Sequence, residues 1–219
     1  MATLPVLNSL IKTNLREQAL ASLRTAITSG QLAPQTQMVE TELSEQLQIS
    51  RGTLREAMRQ LQQEGLLTAG SRGRLYVRRL GPKEIADIFA VRASLEGLAT
   101  STLARRDDRS AVATELRALL RTMAEAAENM DLEGRIESDL AFHRTMCERT
   151  GNESLLHTWQ GLEGSIRMSI MFAGTDRALG NMDVSRHDAI VEAIASGDSQ
   201  RAVAAVEEHM SWAAANLTG

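Results

Sequence analysis

Between about residue 83 and residue 216 the apolar residues return every three to four positions, and nowhere in that stretch do they alternate. A period near 3.6 buries one face of a helix, whereas alternation would bury one face of a strand. Six helices are expected, at about 83–106, 109–130, 132–150, 153–173, 182–196 and 199–216. The C-terminal two-thirds is thereby confined to an all-α antiparallel helical bundle, and the chain as a whole to a mainly α fold. Aromatics make up only 3% of the residues, which leaves packing to leucine and alanine, both good helix formers. No apolar run approaches the 18 or so residues that span a membrane. The first ten residues lack the cationic start and apolar stretch of a secretion signal. Cys147 is the only cysteine, so no intrachain disulfide can form, which fits a reducing, cytoplasmic setting.

The first 80 residues read differently. They hold ten Lys/Arg against six Asp/Glu, although the chain as a whole carries a net charge of −4. A basic third on an acidic body suits contact with a polyanion. Asn14 and Glu17 form a capping box that opens a helix with Leu15, Ala19, Leu23 and Ile27 on one face, stopping at Gly30. A short helix, "ETELSEQL", turns Leu43 and Leu47 inward. Ser50 caps a third, "SRGTLREAMRQLQQEG", with Leu54, Ala57, Met58 and Leu61 as its buried stripe and Gly65 at its end. Arg51, Arg55 and Arg59 recur every four residues on the opposite face. Alone, such a row is most simply a solvated basic edge. It is also the array from which guanidinium groups reach guanine edges or phosphates in a major groove. After Gly65, "LLTA", "GSRG" and "RLYVRRL" make a hairpin bearing Arg72 and Arg74. Residues 1–80 therefore read as a winged helix-turn-helix with a small β-hairpin wing. Gly81 and Pro82 mark the boundary with a second domain, 81–219.

Several polar residues of the bundle fall on its apolar stripes. Arg92 shares the face of Ile85, Ile88, Phe89, Leu95, Ala99 and Leu103, and Asp139 and His143 share the side of Ile136, Leu140 and Met146. His187 lies with Ile190, Val191 and Ile194, and His209 with Val206, Met210 and Ala213. Burying such groups without partners costs several kcal/mol. Taken alone, Asp139 and His143 are a surface pair four residues apart, and Arg92 is equally well a partner for Glu96. With His187 and His209, one carboxylate and three imidazoles become a ligand set for one divalent cation: zinc, nickel, manganese or iron. His157 is offset from its helix's stripe and reads as an ordinary polar residue. Cys147 is a buried small residue before it is a soft ligand, and Arg135 and Arg167 have surface roles before anion-binding ones.

The segments "LRTAITSGQLAP", "ETELSEQLQISRGTLREAMRQLQQEGLL" and "SRGRLYV", over about residues 13–78, resemble the DNA-binding domain of the GntR family of bacterial transcription regulators. "FAVRASLEGLA", "DLAFHRTMCERTGNESLL", "SRHDAIVEAIASGDSQRA" and "EEHM" resemble, in order, the FCD ligand-binding domain of its FadR-type subfamily. Six bundle helices rather than seven point to the VanR-like branch. The resemblance implies operator contacts from Ser50, Arg51, Thr53 and Arg55, with Arg72 and Gly73 entering from the wing. It implies a metal held by Asp139, His143, His187 and His209, with Arg92 facing the same cavity as an anchor for a small carboxylate effector. A homodimeric repressor on a short inverted-repeat operator of double-stranded DNA follows. Three positions depart from the family pattern. Gln35 follows Pro34 where glycine is frequent, Gly52 sits in the first turn of the recognition helix, and Thr41 replaces an arginine that reads bases in some members. Two other readings compete: a sensor for which the ion is itself the signal, and a metallohydrolase, since such a site can activate water. The hydrolase would leave the winged helix idle and finds no further general base near the histidine motifs, so no enzyme is expected.

Overall fold

Two hydrophobic cores form, one in the basic third and one in the acidic remainder. The computed structural model describes residues 15–219. Three helices, α1 (Leu15–Thr28), α2 (Glu40–Gln46) and α3 (Arg51–Gln63), precede an antiparallel hairpin of β1 (Leu67–Ala69) and β2 (Leu75–Val77). The Asn14 cap lies outside the described residues. Leu15, at the very start of α1, is exposed rather than inward, whereas Ala19, Leu23 and Ile27 are buried. All four apolar residues of the α3 stripe are buried beside them. Ser50 caps α3 by accepting the Thr53 N–H at 3.1 Å, a contact worth about 1 kcal/mol. Beyond α3, Gly65 takes a left-handed φ of +74° that a side chain would strain. Gln35 holds a similar conformation, φ 70°, and donates its N–H to the Val77 carbonyl at 2.8 Å. The departure from glycine there is accommodated by a hydrogen bond that ties the turn to the wing.

The second core lies among α4 (Pro82–Ala104), α5 (Arg109–Glu128), α6 (Leu132–Arg149), α7 (Glu153–Met171), α8 (Thr175–Asn181), α9 (Val184–Ser196) and α10 (Ser199–Thr218). Among the described residues this is seven helices, not six. The addition is α8, too short for its period to stand out and interrupted by Gly180. It buries Ala178, and Arg135 of α6 closes its end by donating to the carbonyls of Leu179 and Met182 at 3.2 and 2.9 Å. The helix count behind a VanR-like branch therefore does not hold. α10 lies along α4, α6 packs on both α5 and α7, and α9 packs on α5 and α10. Among the described residues, no helix is long and apolar enough to cross a membrane.

The two cores meet at α7. Met168 of that helix belongs to the N-terminal core. A Cβ added to Gly164 would lie 3.0 Å from the carbonyl oxygen of Glu64, just past the end of α3. Arg78, following the wing, approaches the Ser165 hydroxyl at 3.5 Å and pairs with Glu84 at 2.9 Å.

Candidate metal centre and nucleic-acid interface

Asp139 and His143 stand one turn apart on α6, on the face that also buries Ile136, Leu140 and Met146. α9 brings His187 and α10 brings His209, and each of these three helices begins at an aspartate cap: Asp131, Asp183 and Asp198. The four side chains are almost wholly buried. One ligand nitrogen from each of His143, His187 and His209 lies within 4.8 Å of the other two. Asp139 joins them through its Oδ1, 3.0 Å from His187 Nε2. Phe142 walls the cluster edge-on, 5.2 Å from the His143 ring and 5.1 Å from that of His187.

Proton positions follow from the partners. His143 Nδ1 is 2.6 Å from Glu96 Oε2, and His187 Nδ1 is 2.7 Å from the backbone carbonyl of Asp183. A carboxylate and a carbonyl only accept, so both Nδ1 atoms carry hydrogen. In neutral rings that leaves lone pairs on both Nε2 atoms, which face each other at 3.3 Å, with Asp139 Oδ1 beside them. Three acceptors in contact repel unless a proton or a cation lies among them. Two nitrogen ligands about 2.0–2.1 Å from one ion, a tetrahedral angle apart, are separated by about 3.3–3.4 Å. The donor types and spacing thus fit a divalent cation. The carboxylate behind His143 and the carbonyl behind His187 are the outer partners that fix a ligating imidazole.

In the sequence Glu96 stands out only as the i+4 neighbour of Arg92. It is fully buried, and its Oε1 accepts from Arg92 Nε at 3.0 Å and from Trp159 Nε1 at 2.8 Å. Burial alone would raise its carboxyl. The Arg92 charge, His143 and the hydrogen bonds from His143 and Trp159 outweigh burial and hold it at about 2. Burial also favours the protonated form of Asp139, but a proton between its Oδ1 and His187 Nε2, together with the charges of the neighbouring imidazoles and Arg92, keeps its carboxyl below the usual 3.8. Burial, reinforced by His187, His143 and Arg92, pushes His209 well below 6.5. Burial lowers His143 as well, with Glu96 opposing. Three atoms around the cluster are buried without a hydrogen-bond partner among the described residues: Arg92 Nη2, Asp139 Oδ2 and His209 Nδ1. Cys147 is buried, and burial pushes its thiol up. His157 is exposed.

At the other end, Arg51, Arg55 and Arg59 are exposed along α3. Arg55 pairs with Glu40 of α2 and Arg59 with Glu56, both at 2.7 Å, so two of the three guanidinium groups must exchange a carboxylate to meet DNA. Exposed pairs of this kind are worth at most about 1 kcal/mol and exchange readily. Ser50 and Thr53 hold their hydroxyls 2.9 Å apart at the start of α3. Arg72 and Gly73 sit in a single 3-10 turn between β1 and β2, both left-handed, with φ 60° and 72°. This turn presents the exposed Arg72 at the wing tip.

Comparison with known proteins matches residues 15–77 to the family described as bacterial regulatory proteins, gntR family, and residues 87–211 to the FCD domain. The "Probable D-xylose utilization operon transcriptional repressor" of Paenarthrobacter nicotinovorans is 29% identical over 201 residues, 92% of this chain and 88% of that one. The gluconate operon transcriptional repressor of Bacillus licheniformis is 26% identical over 151 residues, 69% of this chain and 61% of its own. Among solved structures, a chain named GntR from Rhodococcus sp. RHA1 superposes with a TM-score of 0.79 at 20% identity, covering 94% of this chain and 98% of that one. E. coli McbR/YncC gives 0.73 at 20% identity, covering 95% and 98%. These two likenesses concern the fold.

Proposed function

The chain belongs to the gntR family of bacterial regulatory proteins in the form that carries an FCD domain, and we propose that a small carboxylate, held beside a divalent metal ion in the helical bundle, controls its grip on DNA. As a member it is a DNA-binding transcription regulator and not an enzyme. The finer reading is a cytoplasmic, homodimeric repressor on a short inverted repeat, with residues 1–80 reading DNA and 81–219 binding effector. Two relatives named as repressors support the sign of regulation. Val91 and Leu98 support the dimer: seven residues apart on α4, they are about half exposed and would be covered by a second copy.

The observation that carries the metal is the convergence of Asp139 Oδ1 with two imidazole lone pairs, with His209 alongside. Asp139, His143, His187 and His209 would hold the ion, which supplies a positive anchor and no reaction. Formal charge carries the effector. Around the cluster Arg92 contributes +1 and Glu96 and Asp139 each −1, so a divalent ion would leave an excess of one positive charge. A carboxylate anion brings it to neutrality, which a buried site needs. Arg92 is committed to Glu96 through Nε, yet its Nη2 has no partner among the described residues and can donate to a second oxygen of the effector.

A melting-temperature panel of small carboxylates tests this reading. A stabilising carboxylate should raise the melting point of metal-loaded protein, and do so far less after chelation or in Arg92→Ala. Equal stabilisation of confirmed metal-free protein would make the ion structural only. Operator affinity that follows metal concentration with no organic ligand would favour the ion as the signal.

A further inference from the structure

The Glu96 carboxylate touches two elements with different duties. Its Oε2 takes the Nδ1–H of His143, on the helix that also carries Asp139, and its Oε1 takes the Nε1–H of Trp159, on α7. Trp159 is fully buried, so an indole N–H without this acceptor would be left unsatisfied. α7 continues from Trp159 directly to the N-terminal core, with Gly164 against the Glu64 carbonyl and Leu66, Ser165 near Arg78 and Met168 within that core. Five to nine residues of helix, about 7–14 Å, separate the indole from these contacts. They fall at the C-terminal end of α3, the helix whose other end carries Ser50 and Arg51.

We propose that Glu96 is the positioning residue of His143 and that, by holding Trp159 with its other oxygen, it passes the state of the metal centre along α7 to the foot of the DNA-reading helix. The inference rests on the proposed metal centre and adds the residues that link it to DNA. The two oxygens divide the work. Withdrawing the His143 contact frees the imidazole to rotate away from its ligating pose. Withdrawing the Trp159 contact leaves His143 held and unfastens only α7. Arg92 Nε, on the same oxygen as Trp159, keeps the carboxylate in place when either partner moves.

Zinc alone is a sufficient probe, read by its affinity and by two-dimensional amide NMR of the full chain. In wild type, zinc should shift the Trp159 indole N–H resonance and the backbone amides of Gly65 and Leu66. In Trp159→Phe, zinc affinity should stay within about threefold while the Gly65 and Leu66 shifts disappear. In Glu96→Gln, zinc affinity should fall about 10- to 100-fold, the usual cost of losing an outer carboxylate. Circular dichroism confirms that each variant folds, and Trp159→Phe keeps the test alive if Glu96→Gln does not. Shifts at Gly65 and Leu66 that persist in Trp159→Phe, or Glu96→Gln binding zinc as wild type does, would overturn the link while leaving the metal centre standing. A wild type that binds no zinc, nickel, manganese or iron removes the metal centre itself and the link with it.

Discussion

Arg92 and Glu96 lie one turn apart on a helix that mixes alanine, leucine and serine, and both are buried. The stripe of apolar residues around Asp139, His143, His187 and His209 was readable because a polar residue on a buried face breaks the expected pattern. Glu96 sits on the same face as Arg92, but an i,i+4 ion pair explains it so cheaply that nothing pointed to His143 or Trp159, which are 47 and 63 residues away. Residue-level acid sensitivity follows from the shifts. His143 and His209 titrate below 6.5 when folded, so the unfolded chain binds more protons beneath that value. Stability of the metal-free protein is therefore fully present above about 6.5 and falls as pH drops below it. A second loss follows below 4.5, as Glu96 protonates in the unfolded chain but not in the fold until about 2. Urea midpoints between pH 7.5 and 4 should show the decline, and a flat profile across pH 7 to 5 would contradict it. On the DNA side, Arg55→Ala should weaken operator binding by about 1–3 kcal/mol and relax specificity if the side chain reads a base. Arg72→Ala, at the wing tip, should weaken all sequences alike. Mobility-shift titrations in which neither variant loses affinity would contradict the interface.

At the scale of elements, α7 carries two glycines whose surroundings differ. An added Cβ at Gly161 meets nothing within 4 Å, whereas at Gly164 it meets the Glu64 carbonyl at 3.0 Å and Leu66 at 3.1 Å. Gly161→Ala should thus stabilise the protein by about 0.5–1 kcal/mol through helix propensity. Gly164→Ala gains the same propensity, but overpacking of about 1–3 kcal/mol against a backbone oxygen outweighs it. Chemical denaturation of the pair should move in opposite directions, and equal stabilisation would mean that α3 and α7 are not in close contact. Nothing in the sequence marks Gly164, because a close approach between elements 100 residues apart leaves no local trace. α8 is illegible in the sequence for the converse reason. Seven residues make barely two turns, its N-cap is Gly174 with no side chain to cap it, and the carbonyls at its other end are taken by Arg135 of a distant helix. The longer helices were found because their periods run through many turns, and α3 because Ser50 and Gly65 bracket it.

Across the whole molecule, a basic N-terminal unit rests on an acidic bundle through α7 and the Arg78–Glu84 pair to α4, and the buried cluster lies on the far side of the α7 tryptophan from that contact. The layout suits the two jobs proposed for it: exposed arginines that would exchange carboxylates for phosphates, and a dry interior in which the charge of a bound ion would decide what else can enter. The proposed control of DNA binding depends on that ion. The direct measurement is the metal content of the purified wild-type protein and of His209→Ala and Asp139→Asn, by elemental analysis after incubation with zinc, nickel, manganese or iron and removal of excess. About one equivalent per chain is expected in wild type at neutral pH, with much less in both variants and a lower melting temperature in His209→Ala. A folded, operator-binding wild type that retains none of the four metals, or variants that retain as much as wild type, would contradict the metal centre.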